Sequence, residues 1–382
     1  MVVGVPKEEA AGERRVALVP AHIGSLTKAG IEVVVQRGAG YESGYTDEAY
    51  QEKGATLVED RESVYQRADV VLRVRAGRAD TGGFEEAPLL REGQTVIGTF
   101  DPYGAEEAMR GYLEKKVQSF SMELMPRITR AQSMDSLSSQ ANLAGYYAVI
   151  LAAQTLPKMF PMMMTAAGTV VPARVFVVGV GVAGLQAIAT AKRLGGVVSA
   201  YDIRPAVKEQ VESLGGKFVE MDLETESTEG SGGYAKAMDE EFYRKQREMM
   251  SHVVSESDVV ITTAAVPGKK APILITKEML SLMQPGSVVV DIAAERGGNC
   301  ELTKAGQTIT HEGVTILGPV NIASNLANNA SQLYSKNVTT FLLSMVKEGA
   351  LVPDEEDEIV LATRLTKEGE VASETAREIL KG

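Results

Sequence analysis

The chain has 382 residues, which at about 150 residues per domain implies two or three domains rather than one packed core. Hydrophobic residues at 44% and charged residues at 24% are ordinary globular usage, which excludes a disordered or fibrous chain. The 39 basic against 51 acidic side chains leave −12, a charge that repels phosphate backbones and anionic headgroups, so no nucleic-acid partner is expected.

Short β-rich runs alternate with helical patterns through the first third of the chain: strands at 2–5, 31–35, 70–74, 96–100 and 117–125, helices at 23–29 and 47–53. Such alternation predicts a parallel sheet covered by helices. From Arg174 the same grammar restarts, with strands at 175–178, 197–201, 259–262 and 288–292 and helices at 182–194 and 206–214. The expected fold class is therefore α/β, two Rossmann-like, doubly wound parallel-sheet domains separated by a cleft and joined by long helices at 136–156 and 324–347. The expected boundaries are 1–135 with 348–382 for a discontinuous first domain and 136–347 for the second. The uncharged stretch 136–157 is long enough for a membrane span, but Ser136, Ser138, Ser139, Gln140 and Asn142 are costly in hydrocarbon. Leu137, Ala141, Ala144, Ala148 and Leu151 instead mark one buried stripe of a soluble helix.

The strongest chemical signal is the apolar run ending in Gly179-Val180-Gly181-Val182-Ala183-Gly184, followed by a helix. Gly179 permits the tight turn, Gly181 lets backbone approach a pyrophosphate and Gly184 lets helix and strand pack closely, with phosphates facing the helix N-terminus. The next strand ends at Asp202, where an acid grips an adenosine ribose. The reading is a nicotinamide dinucleotide site. Asp202 favours NAD over NADP because it repels a 2′-phosphate, although Arg204, two residues on, is of the type that binds one. A second signal is the segment from Met125 to Ser138, where Arg127, Arg130, Gln132 and Asp135 supply donors and acceptors for a nicotinamide carboxamide and ribose, while Ser133 or Asp135 caps the following helix. The glycine- and glutamate-rich insertion 222–236 reads either as a surface loop or as a lid ending in Tyr234. Met162, Met163 and Met164 are expected to fill an interdomain core, with a docking patch as the other reading. The acidic run 354–358 reads as a solvated turn.

At Pro126-Arg127-Ile128-Thr129-Arg130-Ala131-Gln132-Ser133-Met134-Asp135, at 161–169 and at 179–187, the sequence closely resembles the NAD(H)-binding component of proton-translocating NAD(P) transhydrogenase. The opening motifs at 5–8 and 12–18 and the run 286–293 are shared more widely, with alanine dehydrogenase. The resemblance implies a peripheral subunit on the cytoplasmic face of the inner membrane. It would hold NAD(H) and exchange hydride, with AB (Si-Re) specificity, with NADP(H) carried only on a partner subunit. Its implied partners are that NADP(H)-binding subunit, a membrane-spanning subunit that couples the transfer to proton movement, and a second copy in a homodimer. Carried onto this sequence, the catalytic set is Arg127, Gln132 and Asp135. The cofactor-binding set is Arg127, Ile128, Thr129, Arg130, Gln132, Asp135 and Ser138; Gly179, Val180, Gly181, Val182 and Gly184; Asp202, Ile203 and Arg204; Gly233 and Tyr234; and Gln246 and Ala265. No metal is implied.

An independent chemical test agrees with this direction. A dehydrogenase acting on an alcohol or amine moves a proton with the hydride and needs a placed acid or base. His22, His252 and His311 lie outside the cofactor segments, and where alanine dehydrogenase-like proteins place a lysine and a histidine this sequence reads Arg75 and Thr99-Phe100-Asp101-Pro102-Tyr103. Hydride exchange between two nicotinamides needs no such group, only alignment and exclusion of water. Arg15 and Lys7 keep a rival open, an amino-acid dehydrogenase whose carboxylate substrate they would bind. A regulatory NAD sensor is the third possibility. The lone Cys300 excludes an intramolecular disulfide and the start lacks a signal-peptide pattern, so the cytosol is the expected compartment. With neither spans nor a second glycine turn, the chain is expected to depend on partners for the full reaction.

Overall fold

The computed structural model of the chain describes residues 1–76, 83–102, 106–220, 240–265 and 268–379. It divides into two compact units, Met1–Gln140 with Ala323–Gly382, and Ala141–Ile322.

In the first unit the sheet runs, edge to edge, Glu370–Val371, Arg364–Lys367, Gln118–Ser121, Thr95–Thr99, Val70–Arg75, Val2–Val5, Glu32–Gln36 and Thr56–Val58. The six strands before residue 122 are parallel, and Arg364–Lys367 joins them antiparallel to Gln118–Ser121. The sequence places the last of the parallel strands at 117–125; it stops at Ser121, and a short 3-10 turn, Met122–Leu124, follows. Helix Ala327–Ser344 belongs to this unit, which corrects the assignment of 324–347 to the second domain. Its Tyr334, Val338, Phe341 and Leu342 are buried in one core with Val3, Val5, Val33 and Leu72.

The second unit orders its strands Lys217–Phe218, Val197–Tyr201, Arg174–Val178, Val259–Thr262, Val288–Asp291, Val314–Leu317 and Thr308–His311, all parallel except the last. The strand Arg174–Val178 is apolar beyond its first residue because both faces are covered. Val175 and Val177 enter one core with Ala148, Ala187 and Ile188, and Phe176 and Val178 enter another with Met250, Val254 and Met279. After Val197–Tyr201 and Lys217–Phe218 are laid on one side of this strand, the chain returns to lay Val259–Thr262 on the other. That reversal creates a crevice at the carboxyl ends, where doubly wound folds bind ligands.

Met162, Met163 and Met164 are not core residues. They open a hairpin, Met163–Thr165 with Gly168–Val170, and are 61%, 39% and 76% exposed. Strand pairing and a two-residue turn use the backbone of this segment and leave its side chains outside.

Candidate functional site

The glycine turn sits at the strand-order reversal. Gly179 directly follows Arg174–Val178 with φ 94°, in the left-handed region that favours glycine. A Cβ there would lie 2.8 Å from Thr263 Oγ1 and 2.9 Å from the Ala264 nitrogen. Gly184 lies inside helix Val182–Arg193, and its Cβ would sit 1.9 Å from the Gly179 carbonyl oxygen. Gly181 differs from both: its φ is −83° and a Cβ would meet no atom within 4 Å. Neither strain nor packing requires glycine at 181. Gly181 is also the helix N-cap and supplies no side chain to the first-turn amides, whose positive dipole end suits a phosphate.

Asp202 follows Val197–Tyr201 and is buried. Its Oδ2 accepts from the Val180 N–H at 2.7 Å and from Arg204 Nη2 at 2.9 Å, and its Oδ1 accepts from the Arg204 backbone N–H and from Nε, both at 2.9 Å. The acid therefore ties the glycine turn to the end of the neighbouring strand, and the arginine fork is matched to it on both oxygens.

Sequence reasoning missed the residues that brace this turn. Thr263 donates its hydroxyl to the Gly179 carbonyl at 2.9 Å and its N–H to Val178 at 2.8 Å. Asn299 brackets Ala264, accepting from its N–H at 3.0 Å and donating to its carbonyl at 2.7 Å. Asn299 is set in turn by Asp291, which is fully buried and accepts from the N–H groups of Ala293, Asn299 and Cys300 and from the Thr303 hydroxyl. Gly145, on helix Ser136–Thr155, is needed because a Cβ would lie 2.0 Å from the carbonyl of Ala183. A Gly-Gly-Asn run at 297–299 signals a turn, but nothing in it announces a partner 35 positions away.

Gln246 is buried and donates to the Tyr201 hydroxyl at 3.0 Å, while Ala265 is exposed. Ile203 and Val182 are partly buried. Gly233, Tyr234 and the whole insertion 222–236 lie outside the described residues.

In the first unit, Thr129–Met134 forms a 3-10 turn leading into helix Ser136–Thr155. Asp135 is the cap, accepting from the Ser138 N–H at 2.9 Å and from its hydroxyl at 2.5 Å. Asn337 holds this segment in place, donating to the Ser133 carbonyl at 2.9 Å and accepting from Ser139 Oγ at 2.7 Å. Arg127, Thr129 and Gln132 are exposed and Ile128 is partly buried. Arg130 has another task, a two-bond ion pair with Asp357 at 2.6 and 2.7 Å. The run 354–358 is accordingly more than a solvated turn: Asp357 also caps helix Glu358–Thr363, and Glu355 pairs with Arg364 at 2.6 and 3.1 Å and with Lys367 at 3.1 Å.

Of the two candidates for binding a carboxylate substrate, Lys7 is exposed, whereas Arg15 is buried and already holds a carboxylate. Its Nη2 and Nε donate to Glu13 at 2.6 and 2.8 Å, and its Nη1 donates to Gln140 at 2.9 Å. Arg75, at the end of Val70–Arg75, lies 3.9 Å from the same carboxylate. Burial pushes the Glu13 pKa up, but the Arg15 charge and hydrogen bonds outweigh it and bring the carboxyl down to about 2. Of the histidines, His22 pairs with Ser335 Oγ at 2.8 Å, and burial, then Lys336, lower its pKa. His252 is exposed on helix Glu240–Ser255, and His311 ends the strand Thr308–His311.

Comparison with known proteins decides the lineage. Residues 4–144 match the family described as "Alanine dehydrogenase/PNT, N-terminal domain", and residues 148–374 match "Alanine dehydrogenase/PNT, C-terminal domain". The chain belongs to the alanine dehydrogenase/PNT family. Within that family it is 48% identical over 374 residues to an NAD(P) transhydrogenase subunit alpha polypeptide of Rhodospirillum rubrum, covering 97% of each chain. It is 31% identical over 358 residues to alanine dehydrogenase of Halomonas elongata, covering 91% of this chain and 88% of that one. Among solved structures, the transhydrogenase from Sinorhizobium meliloti superposes with a TM-score of 0.87 at 48% identity, covering 97% of this chain and 100% of that one. An L-alanine dehydrogenase structure shares the α/β fold, with a TM-score of 0.84 at 22% identity, over 100% of this chain and 99% of that one. The family likeness read at 126–135, 161–169 and 179–187 thus extends along nearly the whole sequence.

Proposed function

We propose that the chain is the NAD(H)-holding component of a proton-translocating transhydrogenase, exchanging hydride with NADP(H) held on a partner subunit. The observation that carries the nucleotide half of this reading is Gly181, a glycine demanded neither by its φ nor by its packing, at the N-terminus of a helix on the strand-order reversal. Asp202, anchored to the same turn through the Val180 N–H, is assigned to the adenosine ribose. Arg127, Gln132, Asp135 and Ser138 are assigned to the nicotinamide and its ribose. Asp135 and Ser138 are pre-set by their mutual hydrogen bonds, and Gln132 and Arg127 are exposed. Arg130 is left out because Asp357 engages it.

The bound nicotinamide supplies the hydride; the work of the chain is to orient and to exclude water. The rival reading, turnover of an amino acid, needs a cationic receptor for the substrate carboxylate. Glu13 occupies Arg15, the buried one of the two cations read as that receptor, and Arg75 stands at the same internal acid, which supports transfer between nucleotides instead. No helix among the described residues is long and apolar enough to cross a membrane. Coupling to proton movement, attachment at the cytoplasmic face of the inner membrane, pairing with a second copy and AB (Si-Re) stereochemistry are further elements of the proposal. They rest on the 48% identity to the transhydrogenase alpha subunit.

The test is titration with NADH followed by addition of the NADP(H)-binding subunit loaded with NADP+. Saturable NADH binding and partner-dependent formation of NADPH are expected. Failure to bind NADH, or turnover of alanine by the chain alone, would remove the proposal.

A further inference from the structure

We infer that Arg15 is a positioning residue for the turn Thr129–Met134, acting through a hydrogen-bonded chain of Gln140, Ser139 and Asn337 that ends on the Ser133 carbonyl. The inference rests on the reading of this turn as part of the nicotinamide segment and goes beyond it, to what holds that segment in shape. All of these groups belong to the first unit. Arg15 is locked at the origin of the chain: its Nε and Nη2 donate to Glu13 at 2.8 and 2.6 Å, and its Nη1 donates to Gln140 Oε1 at 2.9 Å. Gln140 Nε2 donates to the Ala330 carbonyl at 3.1 Å and to Ser139 Oγ at 3.3 Å. Ser139 donates its hydroxyl to Asn337 Oδ1 at 2.7 Å, closer than the Ser136 carbonyl at 3.1 Å, and Asn337 Nδ2 donates to the Ser133 carbonyl at 2.9 Å.

The chain runs in one direction because its two ends allow no other. A guanidinium only donates and a peptide carbonyl only accepts. Gln140, between Arg15 and the Ala330 carbonyl, must turn its oxygen to the arginine, and Asn337, facing the Ser133 carbonyl, must turn its amide nitrogen there. Ser139 is left to accept on one side and donate on the other, which a hydroxyl can do. A consistent chain of this kind polarises and stiffens its members, and Arg15 adds a fixed charge at its origin. The start of the turn is clamped by the Arg130–Asp357 pair, and Ala131 and Met134 enter the core beneath it. Ser133, by contrast, is exposed and stands between Gln132 and Asp135, so the hydrogen bond from Asn337 is a tie at the end that bears the assigned contacts. The cation that sequence alone reads as a substrate receptor is thus turned inward, to set the shape of a loop.

The experiment uses the whole chain carrying Ser139→Ala, Ser139→Thr, Gln140→Glu, or Glu13→Gln together with Arg15→Met. The last pair removes both charges, so that neither is left buried alone. Thermal melting checks folding, and where the paired variant does not fold, Gln140→Glu decides, because it still accepts from Arg15 but has no donor for Ser139. Hydrogen exchange read by mass spectrometry, without nucleotide or partner, reports amide protection in peptides covering 128–139 and, as an internal control, 174–193. NADH affinity and hydride transfer to partner-bound NADP+ are measured beside it. Ser139→Ala, Gln140→Glu and the paired variant should each speed exchange at 128–139 and leave 174–193 unchanged. Their transfer rate should fall by about 10-fold or more, as a small misplacement of a reacting group implies, with NADH affinity moving far less. Ser139→Thr keeps the hydroxyl and should hold both readouts near wild type. Combining Ser139→Ala with Gln140→Glu should be no worse than the worse single change, since both cut one chain. Unchanged exchange at 128–139 in Gln140→Glu and the paired variant, faster exchange with an unchanged transfer rate, or a Ser139→Ala effect that Ser139→Thr does not relieve would overturn the inference. Absence of partner-dependent transfer by wild type would instead overturn the reading of the segment beneath it.

Discussion

Three glycines within six residues stand in three different settings, and substitution separates them. Gly184→Ala drives a methyl into the Gly179 carbonyl, and overpacking of this kind costs about 1–3 kcal/mol or more; the melting temperature should fall with or without nucleotide. Gly181→Ala meets no protein atom within 4 Å, so the melting temperature of the free chain should hold. NADH affinity should drop by roughly 10- to 100-fold, as expected for losing a charge-assisted backbone contact. Equal affinity for NADH in the alanine variant would show that no phosphate approaches this backbone. Glu13 makes a second residue-scale case. Removing one partner of a buried ion pair costs about 3–5 kcal/mol, so Glu13→Ala should be strongly destabilised in chemical unfolding. The Glu13 carboxyl is held at about 2 against an ordinary 4.5. Its stabilisation is therefore complete above the ordinary value and is lost as pH falls from there toward about 2. Glu13→Gln should lack that share of the acid dependence; an identical acid transition in wild type and variant would contradict the assignment.

The glycine turn is only as well placed as the elements behind it. Thr263, after Val259–Thr262, fixes the Gly179 carbonyl at the end of Arg174–Val178, and Asn299, which follows Val288–Asp291, fixes Ala264 beyond the end of Val259–Thr262. Thr263→Val should cost about 1 kcal/mol, the net value of one hydrogen bond, and should weaken NADH binding with it. Calorimetric unfolding and titration check this, and a stable variant with unchanged affinity would remove the bracing role. Here the limits of the sequence are also visible. Gly179, Gly184 and Asp202 were legible because their spacing is dictated by one local turn and the next strand. Thr263, Asn299 and Gly145 were not, because their partners lie across the sheet or on another helix and leave no local period. Helix Ala327–Ser344 was legible as a helix from its apolar spacing. Which core its Tyr334, Val338 and Phe341 enter depends on the fold around them, and the spacing alone pointed to the wrong unit. The three methionines at 162–164 misled for a related reason: apolar composition indicates burial on average, whereas a short hairpin has too few neighbours to bury them. Arg130 looked like a ligand through its neighbours Arg127 and Gln132, but the acid that engages it, Asp357, lies 227 positions away.

At the scale of the whole molecule, the two units carry different charged settings. The second unit carries a complete glycine turn with its acid, and in the first unit Arg15 is paired with an internal carboxylate. The chain alone, given NAD+ and alanine or NADH with pyruvate and ammonia, should show no turnover, and robust activity would reinstate the rival reading. The most direct measurement follows the hydride itself. NADH carrying deuterium at the transferable C4 position is supplied to the chain with its NADP+-loaded partner subunit, and the products are examined by mass spectrometry and NMR. Deuterium should appear at C4 of NADPH, only when the partner is present and with no loss to water. Deuterium in alanine when pyruvate and ammonia are supplied in place of the partner, or its exchange into solvent, would contradict direct transfer from one nucleotide to the other.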